Sequence, residues 1–414
     1  MTKFSLSQSG FLSLAGGMLV SAASAQSFTA QTLPTLGGPG AAAYGVNDAG
    51  DVVGASNLPD GSQHACVWID GVPTDLGTLT GGDASTAFSI NNDRVIVGRS
   101  TNAAAISRPV RWTRDEAGQW HIDDLGTFRT DNGGFGWATR ISNTGYIVGY
   151  AAVDAGSYHA FRWLDGARTD LGTLAWTGSL AYSQGLGVNN TGQSVGFAYR
   201  TLGGPEHGFF HNGSTQVDIT PAGQFSLAQG HNVTDAGTIA GYLSGPAVPD
   251  GGFQAAILPA GGAWQLIPRL TGHTDSYGYD LNESDWVVGV SFNPAPPADF
   301  RGFVYTGEAV YDLNAITTDA PGQITEAWDI SDTGLIAATA DGPGGPFAVL
   351  LRPAGAPCPG DLDGSGSVNL SDLALLLSEF GSAGSDLAGD VDGDGDVDLS
   401  DLTLLLSAFG TTCP

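Results

Sequence analysis

The chain of 414 residues carries 42 acidic against 14 basic residues, a formal net charge of −28, so its surface repels phosphate backbones and a nucleic-acid-binding role is excluded. With 63 glycines, 42% hydrophobic residues and only 14% charged ones, the composition suits an all-β protein rich in tight turns, not a helical enzyme or a disordered chain. The length leaves room for more than one domain.

Residues 1–25 have the layout of an export signal. Lys3 provides a short positive start, "FLSLAGGMLV" an apolar stretch of suitable length, and "ASAQ" a small-residue cleavage site after Ala25. The mature chain is therefore expected to begin at Gln26 and to be secreted or held at the cell surface. That apolar stretch is too short to cross a bilayer, and no later one is long enough.

From residue 28 to 352 one pattern recurs seven times: an apolar strand, a polar turn, and a second strand ending in a small residue. The copies are "GVNDAGDVVG" ending at Gly54, "SINNDRVIVG" at Gly98, "RISNTGYIVG" at Gly149, "GVNNTGQSVG" at Gly196, "NVTDAGTIAG" at Gly241, "DLNESDWVVG" at Gly289 and "DISDTGLIAA" at Ala338. The turns call for a left-handed residue at their last position, where five copies have Gly and two have Arg94 and Asp285, which should be slightly strained. A third strand follows each hairpin ("HACVW", "RPVRW", "HAFRW", "HGFFH", "QAAIL", "RGFVY", "FAVLL"), and a fourth is clearest as "TDLGTL" at Thr74–Leu79 and Thr169–Leu174. Four short strands repeating every forty-odd residues predict propeller blades.

The ends of this region are complementary. "FTAQTLPTLGG", Phe28 to Gly38, resembles a fourth strand lacking the first three, and the last copy ends after its third strand. Pairing of Phe28–Leu36 beside Phe347–Leu351 would close the ring without an open seam. The fold class expected is thus mostly β, a seven-bladed β-propeller over residues 26–353 closed by an N-terminal strand. "HAFRW" at His159–Trp163, "TDLGTL" and the "IN..G.VVG"-like hairpins resemble the extracellular HAF repeat. Membership would imply an exported repeat protein without a well-defined activity.

Residues that recur across the blades, in five of the seven copies, are expected to be structural. His64, His159 and His207, with Arg108 and Arg301, share one place at the start of the third strand, and Asp75, Asp124, Asp170, Asp218 and Asp312 share another. Cys66 stands where other copies have Phe or Val, as a buried free thiol. The acids outside the pattern, Asp115, Glu116, Asp154, Glu206, Asp250 and Glu326, are the candidates for a hidden glycosidase pair. Trp120, Phe135, Trp176 and Tyr182 are off-pattern aromatics able to stack on sugars. No nucleophile elbow, zinc-protease or phosphate-loop motif is present.

Residues 354–357 read as a linker to a small acidic segment, 358–414. "DVDGDGDVDLSD" places carboxylates at loop positions 1, 3, 5, 9 and 12 (Asp390, Asp392, Asp394, Asp398, Asp401), Gly395 at position 6, and the carbonyl of Asp396 at position 7. This is an oxygen cage for Ca2+. The loop 29 residues earlier, "DLDGSGSVNLSD", offers Asp361, Asp363, Ser365, Asn369 and Asp372 with the carbonyl of Ser367, and fewer charges predict weaker binding. Each loop leads into a helix with an apolar stripe, Leu373, Leu376, Leu377 and Phe380, then Leu402, Leu405, Leu406 and Phe409. The two stripes are expected to pack together once two calcium ions neutralise the loops, and Cys358 and Cys413 bracket the segment in a way that suggests a disulfide.

Duplicated loop–helix units of this kind resemble a type I dockerin, a small α-helical calcium-binding module that plugs secreted proteins into cohesin-bearing scaffolds. The resemblance implies that Leu370, Ser371, Leu399 and Ser400, at loop positions 10 and 11, face a cohesin-like or other surface scaffold protein. The usual Ser-Thr pair is missing there. The functional expectation is an exported, monomeric, non-catalytic binding or scaffold protein, with a glycan as the possible ligand of the propeller. The alternative is a carbohydrate-active hydrolase or lyase of polysaccharide catabolism, tethered by the same module.

Overall fold

The computed structural model describes residues 27–131, 133–154, 156–174, 182–199, 204–342, 345–354, 360–362, 367–382, 384, 387–391 and 395–410. The export signal, Trp176, Asp363, Ser365, Asp392, Asp394, Cys358 and Cys413 lie outside the described residues.

Seven sheets follow one another along the chain, six of four antiparallel strands and one of five. Blades 1 to 6 occupy residues 41–75, 85–124, 136–172, 183–218, 227–266 and 275–312, each in simple sequence order from the innermost strand outward. Blade 7 takes its inner three strands from Gln323–Ile330, Ile336–Gly342 and Gly345–Ala354, and its fourth from Ser27–Thr32. The closing strand runs antiparallel, with Phe28 opposite Pro353 and Thr32 opposite Val349, and Leu33 N–H donates to Ala348 O at 2.9 Å. Pairing thus begins one residue earlier than expected and ends at Leu33; Leu36 instead turns away, its N–H donating to Ser56 Oγ. Beyond the closing strand, Thr317–Thr318 adds a short parallel fifth strand, reached through the one-turn helix Leu313–Ile316 that Asp312 caps. It covers an edge that would otherwise be open.

The core lies between blades. Val53, Ala65 and Val67 of blade 1 meet Ala87, Ile90, Ile96, Val110 and Trp112 of blade 2, and similar layers recur around the ring. Each fully buried side chain of this size contributes roughly 1.5–3 kcal/mol. The buried indoles of Trp68 and Trp112 donate to the carbonyls of Pro34 and Leu76, so their polar tips are satisfied.

Every inner strand carries a β-bulge at the same place, for example between Ala43 and Gly45 and between Ala138 and Arg140. The bulge brings the inner strand's carbonyl close to the second strand, which explains the glycine ending each hairpin: a Cβ at Gly149 would lie 2.0 Å from Trp137 O, and one at Gly54 1.9 Å from Ala42 O. Blade 7 has Ala338 there and carries a second bulge between Ile324 and Glu326. The hairpin turns behave as expected, with Arg94 and Asp285 both at φ 60°. Arg94 is compensated by an ion pair to Asp51 of the preceding blade at 2.8 Å.

The turns also close a belt around the axis. Asp48 N–H donates to Asn92 Oδ1, Asn92 N–H to Asn143, Thr144 N–H to Asn190, Asn190 N–H to Asp235, Asp235 N–H to Glu283, Glu283 N–H to Asp332, and Asp332 N–H back to Asp48. One blade's side chain therefore holds the turn of its neighbour all the way round.

Near the C-terminus, helices Leu370–Glu379 and Leu399–Ser407 start from capping boxes formed by Asn369 with Asp372 and by Asp398 with Asp401. They share a small core of Val368, Leu376, Val397 and Leu405. The stripe expected to be buried is only half so: Leu377 is 53% and Leu406 51% exposed, and Phe380 and Phe409 are exposed with them. Val368 and Val397, one from each loop, occupy the core in their place.

Candidate functional site

The bulges set up the site. A bulge re-aims one residue per inner strand, and the seven re-aimed residues are Tyr44, Phe88, Thr139, Leu186, His231, Tyr279 and Trp328. All seven line a cavity of about 360 Å3 at the propeller axis, together with Trp137, Arg140, Tyr150 and Gln184. The rings touch one another: Tyr279 stacks on Trp328 at 4.7 Å and 4°, Tyr44 meets Trp328 edge-on at 5.4 Å, and Phe88 lies 5.6 Å from Trp137. The aromatic surface continues through Tyr150, Tyr158 and Tyr182 on one side and Tyr242 and Tyr277 on another. His231 lies between Tyr242 and Tyr279, and burial, then the Arg140 charge, push its pKa down to about 4, so it is neutral at neutral pH.

Beneath this mouth sits a buried charge network. Arg140 Nη1 reaches Asp329 Oδ1 at 2.6 Å and Nη2 reaches Asp280 Oδ1 at 3.1 Å. Asn232 Nδ2 donates to Asp280 Oδ1, Ile330 N–H to Asp280 Oδ2, and Val46 N–H to Asp329 Oδ2. Burial raises the Asp280 pKa well above the carboxylate range, against the pull of Arg140, and the Asp329 charge adds to the rise. Burial opposes ionisation of Asp329 too, but Arg140, the Asp280 hydrogen bond and Val46 N–H overcome it and hold Asp329 low. Arg140 bridges both carboxyls, closest to Asp329, and burial makes ionisation of Asp280 the harder of the two. Five blades meet in this network.

The residues read from sequence as repeated hydrogen-bonding partners do pair. His64 Nδ1 lies 2.9 Å from Asp75, His159 2.9 Å from Asp170 and His207 2.9 Å from Asp218, while Arg108 and Arg301 reach Asp124 and Asp312 at 2.9 Å. The same carboxylates accept the turn amides of Gly77, Gly172, Thr220, Gly126 and Asn314, so each links third strand, fourth strand and turn. Cys66 is fully buried, and burial pushes its thiol pKa up, which is inert chemistry.

Of the off-pattern acids, Asp115 pairs with His121, Asp154 accepts from Thr130, Glu116 is exposed and Asp250 sits in a turn at φ 61°. Glu206 and Glu326 do reach the aromatic surface. Glu206 accepts from Tyr199 Oη and Gln229 Nε2, and Glu326, its pKa raised by burial and by Asp341, acts on Tyr44 and Tyr279. Phe135 and Tyr182 belong to the aromatic surface through Tyr158, whereas Trp120 packs beneath Arg114. Arg140, Asp280 and Asp329 were missed, although they stand first in three of the quoted repeat copies where the others have Gly, Ser or Asn.

In the second acidic loop, carboxylate oxygens of Asp396, Asp398 and Asp401 lie within 4.8 Å of one another. Gly395 adopts φ 93° and its N–H donates to Asp390 Oδ2, the turn geometry a calcium loop needs. Asp372 and Asp401 are fully buried and tie loop start to loop end, accepting from Leu362 and Asn369 and from Val391 and Asp398 respectively. This donor set of hard oxygens fits Ca2+, with the Asp396 carboxylate nearer the cluster than a backbone-only role requires. Leu370 and Leu399 are 73% and 69% exposed, and Ser371 and Ser400 stand beside them on the first helical turns.

No family model matches the chain, and no curated relative is found. Several solved structures are similar to it at low identity and with TM-scores below 0.5. A puromycin-hydrolyzing peptidase of Mycobacterium tuberculosis is 14% identical over 79% of this chain and 55% of its own, with a TM-score of 0.47. Virginiamycin B lyase from Staphylococcus aureus is 12% identical over 78% and 99%, at 0.46. A polysaccharide lyase described as an ulvan lyase is 10% identical over 79% and 94%, at 0.42. The chain spans 45% of the acylaminoacyl peptidase of Pyrococcus horikoshii. These likenesses are distant, and the seven-bladed β-propeller is read from the chain's own seven sheets and closing strand.

Proposed function

We propose that this protein is an exported, non-catalytic binding protein whose propeller presents an aromatic-ringed mouth to a glycan and whose C-terminal module docks it to a partner. The observation that carries the reading is the mouth: a cavity of about 360 Å3 lined by Tyr44, Phe88, Trp137, Tyr150, Tyr279 and Trp328. That size falls within the range of small-molecule sites, and rings of this kind stack on the apolar faces of sugars. Arg140, the charge beneath it, is already committed to Asp329 and Asp280, which favours holding over chemistry.

In the same reading residues 26–353 are a HAF-repeat propeller, 354–357 a linker and 358–414 a dockerin-like module closed by a Cys358–Cys413 disulfide. Two calcium ions are held there, one by Asp361, Asp363, Ser365, Ser367, Asn369 and Asp372, the other by Asp390, Asp392, Asp394, Asp396, Asp398 and Asp401. Leu370, Ser371, Leu399 and Ser400 then meet a cohesin-like scaffold, and the exposure of both leucines supports this.

The test is titration calorimetry of the full, calcium-loaded chain with soluble oligosaccharides, followed by a reducing-end assay of the mixture. Saturable binding that Trp137→Ala abolishes, without new reducing ends, is the expected result. A second reading, a carbohydrate-active enzyme, is favoured by Glu326, a carboxyl whose pKa burial and Asp341 raise, beside Tyr44 and Tyr279. New reducing ends that vanish in Glu326→Gln would replace the first reading with the second.

A further inference from the structure

Arg99 is the residue that the fold leaves unexplained. It follows the hairpin glycine of blade 2, at the position where blades 3, 4 and 5 have Tyr150, Phe197 and Tyr242. Its guanidinium carbon lies 4.5 Å over the ring of Trp137, which lines the mouth, and its one polar contact is Nε to Thr86 Oγ1 at 3.4 Å. Among the described residues no carboxylate comes within ion-pair distance of it. Arg114, Arg162 and Arg168 also lie over rings without an aspartate, over Trp120, Tyr146 and Phe128, but none of those rings lines the mouth. Arg94, Arg108, Arg111, Arg129, Arg140 and Arg301 all sit on aspartates.

A guanidinium lying over an indole is held there by cation–π attraction, and the Nη1 and Nη2 donors of Arg99 remain available for a two-pronged contact. Such a fork matches carboxylate and sulfate groups, which accept two parallel N–H bonds. Arg140 is balanced by Asp329 and His231 is neutral. Glu326 opposes Arg99 at Tyr44, and Glu206 acts on Tyr199 and Tyr242, whereas at Tyr150 Arg99 is the one cation whose pull is felt. The field of Arg99 is felt inside the cavity, where it acts on both Tyr44 and Tyr150.

We infer that the glycan held by the aromatic mouth is anionic, and that Arg99 reads the carboxylate or sulfate of a sugar ring stacked on the neighbouring aromatics. The inference rests on the binding reading above and adds the ligand's charge. A protein of net charge −28 gains nothing from general attraction to a polyanion, so selectivity must come from this one site.

The experiment is calorimetry of the full, calcium-loaded chain with three probes of matched length: galacturonate oligosaccharides, sulfated dextran oligosaccharides and neutral dextran oligosaccharides. The expected result is at least about tenfold tighter binding of one anionic probe than of the neutral one, a preference that weakens with added salt. Which anionic probe binds distinguishes carboxylate from sulfate. Arg99→Gln should remove the preference and leave neutral binding in place, while Arg99→Lys, which keeps the charge without the fork, should retain part of it. Thermal unfolding of both variants checks that the fold is kept, and if Arg99→Gln does not fold, Arg99→Lys carries the comparison. Equal binding of all three probes, or a preference unchanged in both variants, would overturn the role of Arg99 and leave glycan binding standing. Binding of none would overturn both.

Discussion

Replacing Arg140 with methionine removes the only cation from a network that holds two buried carboxyl groups, Asp280 at 0% and Asp329 at 4% exposed. Breaking a buried pair by deleting one partner costs about 3–5 kcal/mol, because the remaining charge has neither water nor counter-ion. Over a propeller of roughly 330 residues the unfolding entropy is about 0.7 kcal/mol/K, so the melting temperature should fall by about 4–7 °C. The pH dependence distinguishes this cause from lost packing. In the intact protein Asp329 is held low, so its contribution is present above the unfolded carboxyl value and lost as pH falls through its folded value. Asp280 is held high, so its contribution is present at low pH and lost as pH rises through its folded value. Without Arg140 both carboxyls prefer their protons, and the deficit of the variant should shrink as the pH is lowered from about 8 to about 5. Scanning calorimetry at several pH values measures this. An unchanged melting temperature at the upper pH, or a deficit equal at both ends, would refute the argument.

Gly149→Ala should lower stability by more than about 1–3 kcal/mol in urea unfolding, since the new Cβ meets a backbone oxygen that cannot move aside, while Ala338→Gly should change it by no more than about 1 kcal/mol. Phe28 is fully buried in the closing strand, and Phe28→Ala should cost about 3–5 kcal/mol and make blade 7 the first site of limited proteolysis. Chelating calcium should abolish the helical circular dichroism of Leu370–Glu379 and Leu399–Ser407 and leave the β signal intact, and Asp401→Ala should weaken the response to calcium; helices that persist in chelator would count against metal-coupled folding.

The blade count, the closing strand and the left-handed turns were all legible because each is written in local chemistry: strand period, turn residues, and ends that complement one another. The fifth strand at Thr317–Thr318 was not, since two threonines carry no pattern and their pairing is set by a partner 290 residues away. The apolar stripes misled because a helix of this length, paired with only one other and capped by acidic loops, buries a single leucine fully, Leu376 or Leu405. The axial network was visible in the first column of the repeat, which runs Gly45, Ser89, Arg140, Gly187, Asn232, Asp280, Asp329. What hid it was the β-bulge: strict alternation counts that column as lying on one face, and only the extra residue turns it to the axis.

Sealing the ring with a strand from the other end of the chain also fixes when the molecule can become whole. Phe28 must wait for Thr318 and Pro353, so the first strand to exist is among the last to pair. The entropic penalty of joining ends so far apart is only about 5 kcal/mol, growing as the logarithm of the loop. In rate, however, such high contact order is slow. Until closure, the outer edge of Gly345–Ala354 is an open template that a second chain's Ser27–Thr32 could fill as readily as its own. Refolding yield should therefore drop with protein concentration, through strand-exchanged dimers and longer chains.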